Sequence, residues 1–350
     1  MHKKIIAAAV AAAVAMPFAA LAQSTPSNVT IYGLLDLNLA RESAGDKERT
    51  GVDHGELNGS RLGFKGSEAL GGDLKAIFTI ESGFDPSTGT AEQGGRLFGR
   101  QSFVGLESAT WGRLTLGRQY SPAFVAIDPF DATGSADRSV GLLTRKTGGI
   151  KPAYETRFDN MVKYRSPSFA GLEFDLGYWL GEKSGKGDAL KEGNGHGITA
   201  LYKNGALAAS LTTQSVYRNA TGGRVRTTGG GLAYDFGIVK PYLAYTQDRE
   251  SGSVGSGKAR TFDVGAEIRV TASDTIALSY AKRDERNDAA AEDAQGWSAY
   301  YMHDLSKRTT LYAAYSQLSN KDDANYALGN LTPDAGDDPR VVMAGIRHRF

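Results

Sequence analysis

The sequence predicts an all-β fold, a single antiparallel transmembrane β-barrel of 16 strands whose third loop folds inward. Three observations carry that prediction. Polar and apolar residues alternate with period two along most of the chain, separated by Gly- and Asp-rich connections. Those connections are short and long in strict turn. Beyond the N-terminal leader, no apolar run approaches the ~20 residues that a membrane-spanning helix needs.

The leader comes first. His2, Lys3 and Lys4 form a small basic region, Ile5 to Ala15 an apolar one, and Ala20-Leu21-Ala22 a small-x-small cleavage pattern. Residues 1–22 are therefore expected to be a signal peptide and residues 23–350 the barrel. Removing Lys3 and Lys4 from the 40 basic residues leaves 38 against 39 acidic ones, so the mature chain is almost neutral and gives no argument for nucleic acid. With no Cys there is no disulfide framework and no thiolate chemistry. The five histidines show no metal-ligand spacing, and there is neither a G-x-S-x-G elbow nor a P-loop. No metal, no cofactor and no enzyme activity are expected.

In the first strand Val29, Ile31, Leu35, Leu37 and Leu39 alternate with Thr30, Tyr32, Asp36 and Asn38. In the second, Leu62 and Phe64 oppose Arg61 and Lys65. The clearest strand is Thr261 to Val270, with Phe262, Val264, Ala266, Ile268 and Val270 on one face and Asp263, Glu267 and Arg269 on the other. A lipid-facing Arg or Lys costs about 2–4 kcal/mol at mid-depth, so in a membrane the charged faces must point to a wet lumen. One half-buried strand of a soluble β-sandwich would alternate in the same way. The number and order of the connections decide.

Short connections fall at 68–73, 108–112, 167–171, 203–205, 237, 271–274 and 306–308. Long ones fall at 41–59, 85–95, 121–156, 181–196, 218–225, 250–258, 287–294 and 320–339. Seven short turns alternating with eight long loops give sixteen strands, an even count with short turns at one rim, as in an outer-membrane barrel. Gly229-Gly230-Gly231 has no helix after it to hold a phosphate and reads as a strand thinned for packing. Tyr32, Tyr178, Tyr217, Tyr234 and Tyr315 lie near strand ends, where such barrels carry aromatic girdles. The chain stops inside a strand: Val342, Ala344, Ile346, His348 and Phe350 share one face, and a barrel would pair this strand with the first.

The longest connection begins in RLTLGRQYSPAFVAIDPFD, where alternation is lost after Tyr120. Pro122, Pro129 and the Asp/Gly run from Asp128 to Gly134 prevent further strand. A long loop in a fold of short ones is usually functional. It is expected to fold inside the barrel and narrow it.

Several stretches are similar to one family: VTIYGLLDLNL, SRLGFKGSEALGGDLKAIFTIESGF, GRLFGRQSFVGL, WGRLTLGRQYSP, NMVKYRSPSFAGL and the terminal GIRHRF. They resemble the Gram-negative general diffusion porins, in their beta-proteobacterial branch, and run in family order from residue 29 to 350. The N-terminal half carries most of the specificity; residues 197–320 match mainly in pattern. The resemblance implies a homotrimer in the outer membrane, in contact with its lipid and lipopolysaccharide, passing small hydrophilic solutes and ions. It also implies that Phe350 is read by the barrel-assembly machinery. The alternative function class is an outer-membrane enzyme or adhesin.

Candidate pore residues follow. Alternation turns Arg61 into the lumen, and Arg157 and Lys163 with Asp159 and Arg165, opposite Phe158, Val162 and Tyr164. The resemblance places Arg100 and Glu81 on the same wall, and Asp128 and Asp131 of the inward loop are expected to face them. Four basic groups against three acidic ones predict a weak preference for anions. Arg118 shares the side of Leu114 and Leu116 and is expected to point outward. The resemblance implies a trimer contact there, with Asp85 or Glu92 of a neighbour's second loop.

Overall fold

Alternation along each strand sends apolar side chains to one side and polar ones to the other, and the sheet closes on itself with the polar side within. The computed structural model describes residues 28–134, 136–141, 154–219, 221–254, 256–286, 293–321 and 323–350. The leader and its cleavage site lie outside the described residues.

The barrel strands are β1 (Asn28–Ala44), β2 (Lys47–His54 and Arg61–Gly71), β3 (Leu74–Asp85), β4 (Gln101–Ser108) and β5 (Gly112–Tyr120). Then come β6 (Arg157–Arg165), β7 (Leu172–Trp179), β8 (Gly195–Asn204), β9 (Leu207–Tyr217), β10 (Arg224–Tyr234) and β11 (Val239–Ser251). The last are β12 (Lys258–Arg269), β13 (Asp274–Arg286), β14 (Ala294–Asp304), β15 (Thr309–Asn320) and β16 (Arg340–Arg349). Both segments of β2 pair with β1, Leu37 opposite His54 and Leu34 opposite Arg61, so they form one stave. A two-residue strand, Thr90–Ala91, folds back on Phe84 and Asp85 within the second loop and adds no stave. Sixteen antiparallel staves result, and β16 pairs with β1, Leu35 opposite His348, which leaves no edge.

The outward faces carry Ile31, Leu39, Leu211, Val264, Ile346 and their like, with Leu211 72% exposed. In water each would forgo about 1.5–3 kcal/mol of burial. A bilayer supplies that burial. The inward faces carry Asp36, Asn38, Thr199, Thr212, Thr227, Asp263 and Ser298, all buried.

The predicted first loop, 41–59, is mostly strand. β1 runs to Ala44 and β2 starts at Lys47, joined by a turn in which Gly45 takes φ 58°. The real interruption is 55–60, where the Leu57 and Asn58 N–H groups donate to the Asp36 carboxylate instead of to a ladder partner. A second departure is in β6. The pairing with β5 slips between Gly117 and Gln119, and Asn160 sits at φ 52°. This bulge resets the parity. Phe158, expected to face outward, is buried and stacks on Trp179 with ring centroids 3.9 Å apart. Tyr32, expected in a girdle, donates from its hydroxyl to Glu81 at 2.8 Å.

After β5 the third loop opens with a short helix, α1 (Pro122–Ile127), where Ser121 caps the Phe124 N–H and proline starts the first turn. The loop lies on the polar face of the far wall. The Pro122 carbonyl accepts from Thr199 (2.8 Å), the Ala126 carbonyl from Ser210 (2.5 Å), and the Val140 N–H donates to Ser298 (2.9 Å). Glycines make room for it. A Cβ on Gly231 would come within 2.2 Å of the Phe130 ring, on Gly265 within 2.6 Å of Ala132, and on Gly296 within 2.9 Å of Val140. The chain between β15 and β16 folds in as well: Ala324, Tyr326 and Leu328 pack with Leu57, Ala136, Val140, Tyr300 and Tyr312. The apolar core therefore sits inside the barrel, between loops and wall.

Candidate functional site

Three arginines from three elements converge at the mouth that α1 leaves open. Arg61 begins the second segment of β2, Arg100 immediately precedes β4, and Arg157 begins β6. Glu81 of β3 anchors them. Its carboxylate accepts from Arg100 Nε at 2.8 Å and lies 3.9 Å from Arg61, with Tyr32 donating from the other side. The Tyr120 hydroxyl accepts from both Arg100 and Arg157, each at 3.3 Å, and the Arg157 guanidinium also lies over the Tyr120 ring, 4.7 Å from its centroid. One carboxylate against three guanidiniums leaves this wall positive.

Arg61, Arg100, Tyr120 and Arg157 share a cavity of about 510 Å³ with Asp128 and Asp137 of the third loop, Glu92 of the second, and His54. Asp128 thus meets the opening that the arginines line. Asp131 does not line it: its carboxylate accepts from the Thr133 N–H and hydroxyl, 2.8 and 2.7 Å, within a turn of the loop itself. Lys163 does not line it either. Its ammonium donates to the Tyr120 carbonyl at 2.9 Å and lies 3.2 Å from Asp175, in an adjoining hollow with Arg113 and Arg165. Alternation gave the inward direction of Lys163 but not its depth.

Sequence reasoning missed Arg138. From the third loop it reaches Glu42 (3.1 Å), Asp53 (3.0 Å) and Glu56 (3.2 Å), and all four are buried. Burial opposes its charge, but Glu56, Asp137 and Asp53 outweigh burial and hold the guanidinium above the ordinary arginine range. Arg49 pairs with Asp53 at 2.6 Å, and the Asn330 and Leu331 N–H groups donate to Glu42. This cluster ties both inward-folded segments to β1 and β2.

On the outer side, Arg118 finds its acid within the chain. Its Nη1 lies 2.7 Å from Asp159, which Arg96 also pairs at 2.9 Å, and its Nε donates to the Gly99 carbonyl. The bulge that turned Phe158 inward is what frees Asp159 for this contact. Asp85 and Glu92 turn instead toward His54 of their own chain, 3.6 and 3.7 Å from Nε2. At the barrel seam, Phe350 and Gly33 exchange both backbone hydrogen bonds, and the Phe350 ring occupies the space a Cβ on Gly33 would need.

The chain's relatives agree with this fold. A family model described as Gram-negative porin matches residues 7–323. An outer membrane porin protein of Bordetella pertussis is 32% identical over 411 aligned positions, and outer membrane porin protein 32 of Delftia acidovorans 34% identical over 367, each covering 100% of both chains. Among solved structures, the anion-selective porin from Comamonas acidovorans superposes with a TM-score of 0.82 at 29% identity, over 93% of this chain and 100% of that one. These relatives lend no support to the alternative of an enzyme or adhesin.

Proposed function

The chain belongs to the Gram-negative porin family and forms a diffusion channel in the outer membrane, and we propose that Arg61, Arg100 and Arg157 make that channel weakly anion-selective. The carrying observation is the excess of charge on one wall, three guanidiniums around the single carboxylate of Glu81. Asp128, Asp137 and Glu92 line the same opening together with Arg138, four guanidiniums to three carboxylates among the lining residues, so the field runs across the pore, and low-dielectric walls focus it. Lys163, one hollow away, adds to the positive wall, while Asp175 beside it and Asp131 within its own turn temper the excess. The name of the Comamonas acidovorans relative, anion-selective, favours the same sign. Reversal potentials in a salt gradient test it. The wild type should favour anions, and R61Q/R157Q should shift the preference toward cations. A wild type already favouring cations, or a double variant that shifts nothing, overturns the assignment.

The working assembly in this proposal is a homotrimer, with Arg118 at a subunit contact and the neighbour's Asp85 or Glu92 approaching the Arg118–Asp159 pair. Phe350 serves as the signal to the barrel-assembly machinery, after export and cleavage behind Ala22. Outer-membrane lipid and lipopolysaccharide surround the trimer.

A further inference from the structure

Three asparagines stand immediately before a glycine: Asn58, Asn194 and Asn204. A glycine has no side chain to shield its own amide nitrogen, and its backbone turns freely. That nitrogen can therefore reach the side-chain carbonyl carbon of the asparagine before it. The fold treats the three pairs differently.

Asn194 is locked. Its Oδ1 accepts from the Gly181 N–H at 2.7 Å, and its Nδ2 donates to the Leu190 carbonyl at 3.4 Å. Gly195 already belongs to β8, paired with Trp179 of β7 on one side and Val216 of β9 on the other. Asn204 ends β8 at a short turn in which Gly205 takes φ 55°. It is exposed at the rim, away from the narrow opening. Asn58 differs from both. It lies in the interruption of β2 at 55–60, where no acceptor among the described residues takes the Gly59 N–H. It also lines the cavity that Arg61, Arg100 and Arg157 share.

The surroundings of Asn58 favour attack on its side chain. Its own N–H is held by Asp36 at 2.9 Å, and its Oδ1 accepts from Arg347 at 3.0 Å and Arg349 at 3.4 Å. Negative charge develops on that oxygen when the amide carbon is attacked, and two guanidiniums already face it. We propose that Asn58 is a site of hydrolytic self-modification that resets the charge of the pore. The Gly59 nitrogen gives its proton to hydroxide and bonds to the Asn58 Cγ. The Cγ–Nδ2 bond breaks, and the nitrogen leaves as ammonia with a proton from water. A second water opens the cyclic imide to aspartate or isoaspartate, and nothing is oxidised or reduced. The product adds one negative charge to an opening whose lining residues stand at four guanidiniums to three carboxylates, making four to four. A channel aged in this way loses the excess on which its anion preference depends. The consequence for selectivity rests on the proposal above; the modification itself does not.

The test ages the purified, folded barrel in mildly alkaline buffer and locates conversion by tandem mass spectrometry, with reversal potentials on the same samples. Asn58 should convert severalfold faster than Asn194. R347Q/R349Q should slow the conversion severalfold, and R347K/R349K, which keeps the charge, should restore most of it. Aged wild type and fresh N58D should both shift toward cations relative to fresh wild type, while N58Q should hold its initial preference throughout. An Asn58 that converts no faster than Asn194, or an N58D that shifts nothing, would overturn the proposal. Equal conversion with and without the two guanidiniums would remove Arg347 and Arg349 from it. A fresh wild type that already favours cations, with Asn58 converting and N58D shifting it further, would overturn the selectivity reading and leave the modification standing.

Discussion

The Arg138 guanidinium stands 3.2 Å from the Glu56 carboxylate, and both are shut away from solvent inside the barrel. Glu56 is further held by the Tyr300 hydroxyl at 2.6 Å. This pair fixes the third loop to the opposite side of the lumen from the wall on which α1 lies.

Removing Arg138 should therefore loosen the loop. Arg138→Ala leaves Glu42, Asp53 and Glu56 with only Arg49 to balance them, and breaking a buried pair from one side costs about 3–5 kcal/mol. Single-channel records should show frequent sub-conductance transitions absent from the wild type, and the barrel should unfold at lower temperature in detergent. Records as quiet as the wild type's would show that the apolar contacts of the loop suffice.

Gly231→Leu probes the other side of the same loop. Its Cβ would meet the Phe130 ring, and overpacking of this kind costs about 1–3 kcal/mol. The loop should be displaced and the conductance altered, while Leu232→Val, on the outward face of the same strand, should leave conductance unchanged.

Arg118→Ala should lower the temperature at which the trimer dissociates in detergent. Asp159→Asn should do the same to a smaller extent, because it leaves Arg118 in place but without its in-chain counter-charge. A dissociation temperature unchanged in the arginine variant would remove Arg118 from the subunit contact.

Deleting Phe350 should leave export and leader cleavage intact and cut the yield of assembled trimer severalfold, measured as heat-modifiable protein in the membrane fraction. Only two backbone hydrogen bonds and one exposed ring are lost. Stability of whatever barrel does form should thus change little, which separates an assembly role from a structural one.

Fold and strand count were legible because alternation and connection length are properties of consecutive residues. The direction of Arg61 followed from Leu62 and Phe64 beside it. The direction of Phe158 did not, because the bulge at Asn160 depends on how β6 meets β5, and no residue type announces it. The continuous hairpin at 47–54 was hidden by its polarity: KERTGVDH faces water on one side and charged lumen on the other, so apolar periodicity has nothing to mark. Arg138 was illegible for a related reason. Its partners are 82 to 96 residues away, on β1, on β2 and in the interruption of β2, which the loop reaches only after folding into the lumen. The glycine triplet at 229–231 did signal close packing, though not what would pack against it.

The bed of the third loop also fixes an order of events. The loop leaves the wall at β5 and returns at β6, yet Thr199, Ser210, Gly265 and Ser298, on which it rests, belong to strands β8 to β14. Val140 and Ser298 are 158 residues apart. Contacts of such sequence separation form late. The inward loop can have no fixed position until staves β8 to β14 stand, so the narrowing of the lumen waits on the far wall that carries it.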